Sequence, residues 1–502
     1  MSTSATVGAV LTPATAQFLR AVAREDWTQA VEVLERHYAE VWFAISPEDL
    51  HAILHGVPEP LLDRLQDGGS LAQLVETRDG GHHGALGPLL PAAAVPGPAR
   101  AHLELRLRER PVQALPYVRQ ELETYRTVRG ALLDAADGEG AVWLAQAATT
   151  ALLAGEVTLA QGMLLTALDV PSPARFPFAR REVIAKRALA LAVGGNVGEA
   201  EHAVEQGRRT PRTESWVETF VDRTLWLADF ICAVDTLDPR AEEMRLTNPS
   251  PMAHPDLWPV ALTIHVRHLV LTGRREHAEE LCDAVSATGR PATDAEGLYA
   301  SAVADARLAI RQDRRPLRTS DTDRASAAQR ELAWAHHLFA TGQFPSVTRM
   351  PFPATHNDRL VRAMAILRAQ ACLAKGRVRE GRQLLLDAVR VVLQRRTYGV
   401  LSYLTADGLG AIGDTAEGAR AAELVERLGL PLTEVRAVLA APLTEAEIDV
   451  LHLLREGLTR EEMAQRLFLS VNTIKTHLRA AYRKLGASHR VEALETFAQL
   501  GH

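Results

Sequence analysis

The chain has 502 residues, of which 47% are hydrophobic and only 5% are aromatic, and its formal net charge is -6. This length exceeds that of one ordinary domain, and the negative balance excludes a protein that coats nucleic acid along its whole surface. Most of the aliphatic residues are alanine and leucine. Because both lose little side-chain entropy in a helix, we predict an all-α protein.

The sequence carries no signal for a membrane or an oxidising compartment. No apolar run reaches the length of a transmembrane helix, and the N-terminus lacks a basic and then apolar leader. Cys232, Cys282 and Cys372 lie far apart without a CxxC pair, which predicts free buried thiols and no zinc site. The pair His82-His83 is flanked by glycines, so we expect a flexible loop that binds no metal. A cytoplasmic protein without cofactor, metal or membrane contact is therefore expected.

Residues 1–79 are predicted to form an N-terminal helical cap region. The following segment, residues 80–98, is dense in glycine and proline, which is typical of a break between structured regions. We therefore place the start of the next domain at residue 99.

Internal repetition dominates the predicted domain at residues 99–430. A glycine that ends one apolar-periodic helix is followed, five residues later, by a small residue in the next helix. The steps between copies are close to the period of tetratricopeptide repeats, or about twice that period where one copy is degenerate. Glycine supplies the left-handed turn between the helices, and the small residue permits their close approach. We predict a tetratricopeptide-like helical-repeat solenoid. The copies are Gly155/Ala160, Gly195/Ala200, Gly273/Ala278, Gly376/Gly381 and Gly413/Gly418, with weaker ones at Gly342/Val347 and Glu25/Ala30.

A solenoid of this kind presents a concave surface, which is typical of proteins that bind a partner or a small molecule. A helical spacer without binding function is the alternative that the pattern leaves open. Residues 311–323 are charged and lack apolar periodicity, which predicts a long loop within the array. Residues 431–442 begin and end with proline and are the predicted linker to the last domain.

Residues 443–502 contain the start signals of several short helices. Thr444 with Glu447, and Thr459 with Glu462, fit the capping-box pattern, whereas Ser470 caps a third helix that has no acid at its third position. Three residues separate the second helix from the third, as in a helix-turn-helix. We therefore predict a four-helix domain that contains this motif.

The third of these helices is basic on every turn. Lys475, Arg479 and Arg483 are each four residues apart and therefore share one helix face. No acid occurs in residues 471–490, and a helix N-terminus without acids attracts phosphate. The pattern predicts that this helix enters a DNA groove. A solvated basic face on a protein that binds no DNA is the alternative.

At fixed spacing, this segment resembles the LuxR-type helix-turn-helix domains of bacterial transcription factors. It departs from them at Ala446, where the family usually has arginine, and at Arg460-Glu461, where it usually has a small polar pair. The resemblance rests on Leu443-Thr444, Glu447, Val450-Leu451, Leu454, Gly457, Met463-Ala464, Leu467, Leu469-Ser470, Thr473-Ile474-Lys475, His477-Leu478, Tyr482, Lys484-Leu485-Gly486 and Arg490.

The resemblance implies a role in DNA binding for residues of the second and third helices. It implies that Lys475, Thr476 and Arg479 face base edges in the major groove. The implied phosphate contacts are Thr459, Thr473 and Arg483, and the full predicted DNA-binding set adds Asn472 and Lys484. We expect Tyr482 and His477 to be core residues instead.

The order of a helical-repeat region and a terminal LuxR-type domain resembles the MalT-like regulators, but without their ATP-binding domain. The chain contains no Gly-Lys dipeptide, so it has no GxxxxGK[ST] phosphate loop. The catalytic motifs GxSxG and HExxH are also absent from the sequence, so we expect no enzyme activity.

We therefore expect a sequence-specific transcription regulator whose repeats sense a small molecule or a protein partner. Double-stranded promoter DNA is the expected partner, with RNA polymerase as a further candidate, and the protein would be nucleoid-associated when bound to DNA. The stiff linker predicts that the array restrains the DNA-binding domain, or serves as an assembly arm. The alternative is a helical-repeat scaffold or anti-regulator whose C-terminal helices mediate assembly.

The last helix, which we expect Ala487-Ser488 to open, has two apolar stripes. So small a domain can bury only one of them, which leaves the other free for a homodimer contact. The competing expectation is that both are buried against the linker and the last repeat. The predicted dimerisation stripe is Val491, Leu494 and Ala498, and the other is Ala493, Phe497 and Leu500.

Overall fold

The computed structural model describes residues 12–58, 60–61, 97–134, 139–170, 176–311, 324–355, 357–435, 443–485, 487 and 489–499. Within these residues the regular secondary structure is helical and includes no β-strand, which confirms the all-α prediction. The N-terminal helices are α1 (Pro13–Ala23), α2 (Trp27–Ala44) and α3 (Pro47–Leu54).

The described helices of the repeat region follow one another in chain order. The first group is α4 (Gly97–Leu107), α5 (Pro111–Asp134), α6 (Glu139–Leu153), α7 (Val157–Leu168), α8 (Ala179–Gly194), α9 (Val197–Arg209), α10 (Glu218–Thr236) and α11 (Arg240–Thr247). After a 3-10 turn at Pro251–Ala253 come α12 (Trp258–Leu271), α13 (Arg275–Ala287), α14 (Gly297–Arg311), α15 (Ala327–Ala340), α16 (Phe344–Arg349), α17 (Asp358–Ala374) and α18 (Val378–Arg395). A second 3-10 turn at Tyr398–Tyr403 precedes α19 (Ala406–Ile412) and α20 (Ala416–Leu428).

Several pairs of consecutive helices in this region pack as hairpins. The pairs α4/α5, α6/α7, α8/α9 and α17/α18 are in contact, and the first helices of neighbouring hairpins, α4, α6, α8 and α10, also pack side by side. Each hairpin thereby buries its apolar face against the next one, as in a tetratricopeptide-like solenoid. This arrangement confirms the predicted repeat architecture.

The predicted turn glycines have the backbone conformation that the repeat pattern requires. Positive φ values of 76° to 90° occur at Gly155, Gly195, Gly273, Gly342 and Gly376. The small residues five positions later are buried: Ala160, Ala200 and Ala278 have no exposed surface. At Gly381 a Cβ atom would lie 2.8 Å from the Ala369 carbonyl oxygen, so the helices of that hairpin approach too closely for a side chain.

For one predicted repeat copy, the expected left-handed turn at the glycine was wrong, and one further repeat copy was not predicted. Gly413 has a φ of -63° and is right-handed, because α19 ends there and Thr415 caps α20 two residues later. Gly418 still fits the pattern, since a Cβ there would collide with the backbone of Ile412. The missed copy is Glu109/Ala114, in which a glutamate takes the left-handed position with φ of 59° and the alanine is fully buried.

The described residues form two compact units, one within Met1–His265 and Asp283–Val303, the other within Val266–Cys282 and Ala304–His502. In the first unit the N-terminal helices pack on the repeats. The Ser215 hydroxyl donates to the Phe43 carbonyl oxygen at 2.7 Å, and the Phe43 ring lies 4.7 Å from that of Phe178. The expected cap region therefore belongs to the same unit as the first hairpins.

Several expectations fall outside the described residues. These are the break at residues 80–98, apart from its last two residues in α4, the pair His82-His83, the loop at 311–323 beyond the end of α14, and the linker beyond residue 435. The predicted domain boundaries stay predictions.

The three cysteines are buried within helices, as predicted: Cys232 in α10, Cys282 in α13 and Cys372 in α17. None of the helices in the described part of the chain combines the length and the apolar character needed to cross a membrane.

A buried pair of ionisable groups links α4 to α5. Burial raises the pKa of Glu121 to about 8, and burial together with the Arg106 and Lys186 charges lowers the pKa of His102 to about 3. Both groups are therefore neutral at pH 7. A Glu121 carboxyl oxygen lies 2.9 Å from Nε2 of His102, and Nδ1 of His102 lies 3.2 Å from the Thr150 hydroxyl on α6.

Candidate nucleic-acid interface

Four short helices form the C-terminal domain. Helix α23 packs on α21, α22 and α24, and α21 also contacts α24. The helices are α21 (Glu445–Arg455), α22 (Arg460–Leu467), α23 (Val471–Leu485) and α24 (Arg490–Gln499). The predicted four-helix order is confirmed.

Side chains at the start of the helices fix where each begins. The amide of Glu447 donates to the Thr444 hydroxyl at 3.3 Å, and the Thr444 amide donates to the Glu447 carboxylate at 2.7 Å, which is a reciprocal capping box. Thr459 and Glu462 form the same arrangement on α22. The Ser470 hydroxyl accepts from the Thr473 amide at 3.1 Å and caps α23, which has no acid in its first turn. The N-terminus of α23 thus keeps its positive dipole end uncompensated.

The turn between α22 and α23 has an unusual residue at its corner. Phe468 has a φ of 54°, in the left-handed region that bulky side chains rarely adopt, and its side chain is 95% exposed. The Leu469 amide donates to the Ala464 carbonyl oxygen at 2.9 Å and closes the turn. This geometry turns the chain sharply enough for α23 to cross α22.

Helix α23 has one apolar and one basic face. Ile474, Leu478 and Ala481 are buried at helical spacing and anchor it to the domain. The opposite face is exposed and carries three cations without a neighbouring acid on the same helix. The exposed predicted DNA-binding residues of α23 are Asn472, Lys475, Thr476, Arg479 and Arg483. The structure therefore brings these five together on one surface.

Unlike the cations, the three predicted threonines have hydroxyls that make contacts within the domain. Thr459 is exposed, but its hydroxyl donates to Glu462 at 2.8 Å within the capping box. The hydroxyl of Thr473 lies 2.7 Å from that of Ser470, and the Thr476 hydroxyl donates to the Asn472 carbonyl oxygen at 2.9 Å. A hydroxyl that donates within the helix can still accept, so these side chains can bind donors on base edges, or rotate to reach phosphate.

Lys484, the last of the predicted DNA-binding residues, is mostly buried in an ion pair. Its ammonium lies 2.7 Å from the Glu447 carboxylate, and only 11% of the lysine and 5% of the glutamate side chain are exposed. The cation is thereby held inside the domain, where it joins α23 to the capping box of α21. This ion pair contributes to the stability of the domain, and the predicted DNA contact of Lys484 stays a prediction.

Helix α24 buries one of its two stripes. Ala493 and Phe497 are fully buried, and the Phe497 ring packs edge-on against His452 of α21 at 5.0 Å. Val491 is 61% exposed. Leu494 is half-buried and Ala498 is exposed, whereas Leu500 lies outside the described residues. The predicted dimerisation stripe is thus the one that faces away from the domain core.

Two features of the site were not read from the sequence. The exposure of Phe468 had no local signal beyond its place between two helices. The pairing of Glu447 with Lys484 joins residues 37 positions apart, and no helical periodicity connects them. Tyr482 and His477, expected in the core, are half-buried.

The comparisons with known proteins concern this domain alone. The family model described as "Bacterial regulatory proteins, luxR family" matches residues 441–497. The chain is 44% identical over 59 residues to a candidate HTH-type transcriptional regulator of Mycobacterium bovis, and 43% identical over 60 residues to the HTH-type transcriptional regulator MalT of Serratia proteamaculans. Each match covers 12% of this chain and 7% of the relative. No solved structure matches the chain.

The matched segment and the four-helix geometry coincide. Residues 441–497 include all of α21, α22 and α23 and most of α24. The C-terminal domain is therefore a LuxR-type helix-turn-helix domain, as the sequence predicted. The chain spans less than a tenth of the length of the curated relatives it matches.

Proposed function

With a LuxR-type helix-turn-helix at its C-terminus, we propose that this protein is a sequence-specific DNA-binding transcription regulator. The observation that carries the proposal is the exposed basic face of α23. Lys475, Arg479 and Arg483 project from a helix whose opposite face is buried and whose N-terminus follows a sharp turn. A helix presented in this way fits the major groove of B-DNA, which is wide enough to admit it.

The position of each cation along α23 indicates its role. Lys475 lies in the N-terminal half of the helix, which in helix-turn-helix proteins reaches the base edges, and Arg479 follows one turn later, just past the middle. Both side chains donate hydrogen bonds that suit the O6 and N7 acceptors of guanine. Arg483 lies one turn further on and is assigned to a backbone phosphate. Asn472, Thr473 and Thr476 supply shorter polar contacts at the helix start, and Thr459 is assigned to a phosphate beside α22.

Binding titrations with single variants test these roles. Lys475→Ala or Arg479→Ala is expected to weaken specific binding by about 1 to 3 kcal/mol, because each removes a base contact. Arg483→Ala should weaken specific and non-specific binding alike and reduce the salt dependence by about one counterion. Fluorescence anisotropy on the DNA upstream of the protein's own gene, and on a scrambled duplex, separates the two patterns. Equal losses on both duplexes for all three variants would contradict the proposed base readout.

A second candidate function is an assembly protein whose C-terminal helices bind another protein. The observation that favours it is apolar exposure, at Phe468 on the turn and Val491 on α24. The two functions differ in their response to salt. Phosphate contacts weaken steeply as salt rises, whereas an apolar contact does not.

The exposed stripe on α24 supports a homodimer through Val491, Leu494 and Ala498. A two-fold dimer would place two copies of α23 on inverted half-sites about one DNA turn apart. The second half-site then binds at a high effective concentration, which raises affinity without any new type of contact.

The repeat region is proposed to sense a small molecule or a protein partner and to set the fraction of molecules competent for DNA. The stacked hairpins of the first unit supply a binding surface. If only a fraction of the molecules can bind DNA at rest, the apparent DNA affinity is reduced by that fraction. An effector that frees the DNA-binding domain in the remaining molecules therefore raises the apparent affinity. Recruitment of RNA polymerase by the same array is the alternative, and it predicts no change in DNA affinity on effector binding.

A further inference from the structure

A cleft opens on the repeat region of the first unit. Its walls are formed by α6, α8, α10 and the segment that follows the 3-10 turn, and its volume is about 570 Å³ including the open mouth. Much of that volume is open to solvent, so the cleft itself has room for a small ligand only. The charged residues among those that line it are Glu182, Lys186, Arg223 and Asp256.

One wall of the cleft holds a buried ion pair with unused hydrogen-bonding capacity. The Lys186 ammonium lies 2.7 Å from the Glu182 carboxylate, its one side-chain partner among the described residues. An ammonium has three donors. The Gln146 side chain donates to the same carboxylate at 3.1 Å, while the second Glu182 oxygen is buried without a partner in the described structure. Lys186 is therefore short of acceptors inside a mostly buried site.

The mouth of the cleft adds a second cation. Arg223 is exposed there, donates to the Ala253 carbonyl oxygen at 3.3 Å and lies over the Phe220 ring at 5.7 Å. A guanidinium carries five N–H donors, so most of its donors stay available for a ligand.

The four charged residues that line the cleft are two acids and two bases, but one of the acids is also paired with an arginine outside the lining. Lys186 offsets Glu182, and Asp256 is offset by Arg106, which donates to it at 3.4 Å from behind the wall. His254 adds no charge at pH 7, because burial and the Arg223 charge lower its pKa to about 4. Arg223 therefore remains as an excess positive charge, which favours a ligand with one negative charge.

Apart from the uncharged polar residues Gln146, Thr149, Thr224 and His254, the rest of the lining is apolar. It consists of Ala185, Val217, Phe220, Val221, Ala253, Pro255 and Leu257. A ligand that fills this space needs an apolar body of a few carbon atoms, and its polar group must be rich in acceptors.

We propose that this cleft binds a small amphipathic monocarboxylate, whose carboxylate accepts from Lys186 and Arg223 and whose apolar body packs on Phe220. A carboxylate supplies the acceptors that Lys186 lacks and compensates the excess charge of Arg223. The proposal deepens the sensing role proposed above, on which its regulatory meaning rests, by naming the effector class and the site.

The test is calorimetric titration of the full chain, without DNA, with isovalerate, phenylacetate and 4-phenylbutyrate and with the neutral amide of each. At least one acid is expected to bind saturably, and its amide at least tenfold more weakly. Lys186→Met and Arg223→Gln should each weaken binding of that acid by tenfold or more. Lys375→Met, at an exposed lysine next to α17 in the second unit, is the matched control and should leave it unchanged.

Lys186→Met removes a buried partner of Glu182 and can lower the folded fraction, so Arg223→Gln, at an exposed position, is decisive. The cleft proposal is overturned if no acid saturates, if the amides bind as tightly, or if Arg223→Gln binds unchanged. DNA titration of the same preparation separates the two proposals. Acid binding without DNA binding refutes the regulator alone, and DNA binding without acid binding refutes the cleft alone.

Discussion

Replacing Glu447 with alanine removes the carboxylate that joins the start of α21 to α23. Its carboxylate accepts from the Thr444 amide at the start of α21 and from Lys484 on α23, both at 2.7 Å. The substitution leaves the Lys484 ammonium buried without this carboxylate and the helix start without its reciprocal cap. Breaking a buried ion pair from one side costs about 3 to 5 kcal/mol. Because the lysine keeps 11% of its side chain exposed, we expect the low end, about 3 kcal/mol.

Native-state hydrogen exchange of the full chain measures this loss locally. A change of about 3 kcal/mol corresponds to a roughly 150-fold faster exchange of the protected amides in α21 and α23. Glu462→Ala is the matched control, because Glu462 closes the same kind of capping box on α22 but is exposed. Its effect should be much smaller and confined to the first turn of α22. Equal loss of protection in the two variants would refute the argument that the buried pair stabilises the domain.

The pH dependence of stability provides a second test of the Glu447–Lys484 ion pair. Burial raises the pKa of Glu447, but the hydrogen bonds from Lys484 and Thr444 outweigh it and hold the pKa below its ordinary value of 4.5. Because the pKa of Glu447 is lower in the folded than in the unfolded protein, its contribution to the free energy of unfolding is complete above pH 4.5. That contribution is lost as the pH falls through the pKa of Glu447 in the folded protein. The difference between the native protein and Glu447→Ala should therefore narrow below pH 4.5.

Three further outcomes are expected. Glu121→Gln should raise the thermal unfolding temperature more at pH 8 than at pH 5, because the folded protein must keep this carboxyl protonated up to its raised pKa of about 8; a larger gain at pH 5 would contradict the neutral pair with His102. Val491→Asp should shift the full chain towards monomer in sedimentation equilibrium, since it places a charge in the proposed dimer stripe, and an unchanged association constant would exclude that stripe. Titration with labelled ATP should show no saturable binding, because the sequence has no phosphate loop; magnesium-dependent micromolar binding would reveal a different nucleotide site.

Local signals made the C-terminal domain predictable. The capping pairs Thr444/Glu447 and Thr459/Glu462 act across three residues, so the sequence specifies them almost completely. The basic face of α23 follows from four-residue spacing in the same way. The ion pair between Lys484 and Glu447 could not be predicted in this way, because the two residues lie 37 positions apart and meet only through the packing of α21 on α23.

The turns between the repeat helices could also be predicted only in part. Glycine marked five left-handed turns correctly, since a residue without Cβ adopts that conformation at little cost. It failed at Glu109, where a glutamate occupies the left-handed position, and at Gly413, where the chain stays right-handed. In both places the packing of the hairpin decides the turn. The cleft could not be predicted from the sequence for the same reason, since α6, α8 and α10 come into contact only when the hairpins pack together.

The central claim is that α23 reads DNA, and nuclease footprinting on the DNA upstream of the protein's own gene tests it most directly. We expect the native chain to protect a discrete site, and the Lys475→Ala/Arg479→Ala double variant to lose that protection while its helical content is unchanged. Lys375→Ala, an exposed lysine outside the C-terminal domain, should protect the site as the native chain does. Unchanged protection by the double variant would contradict the claim.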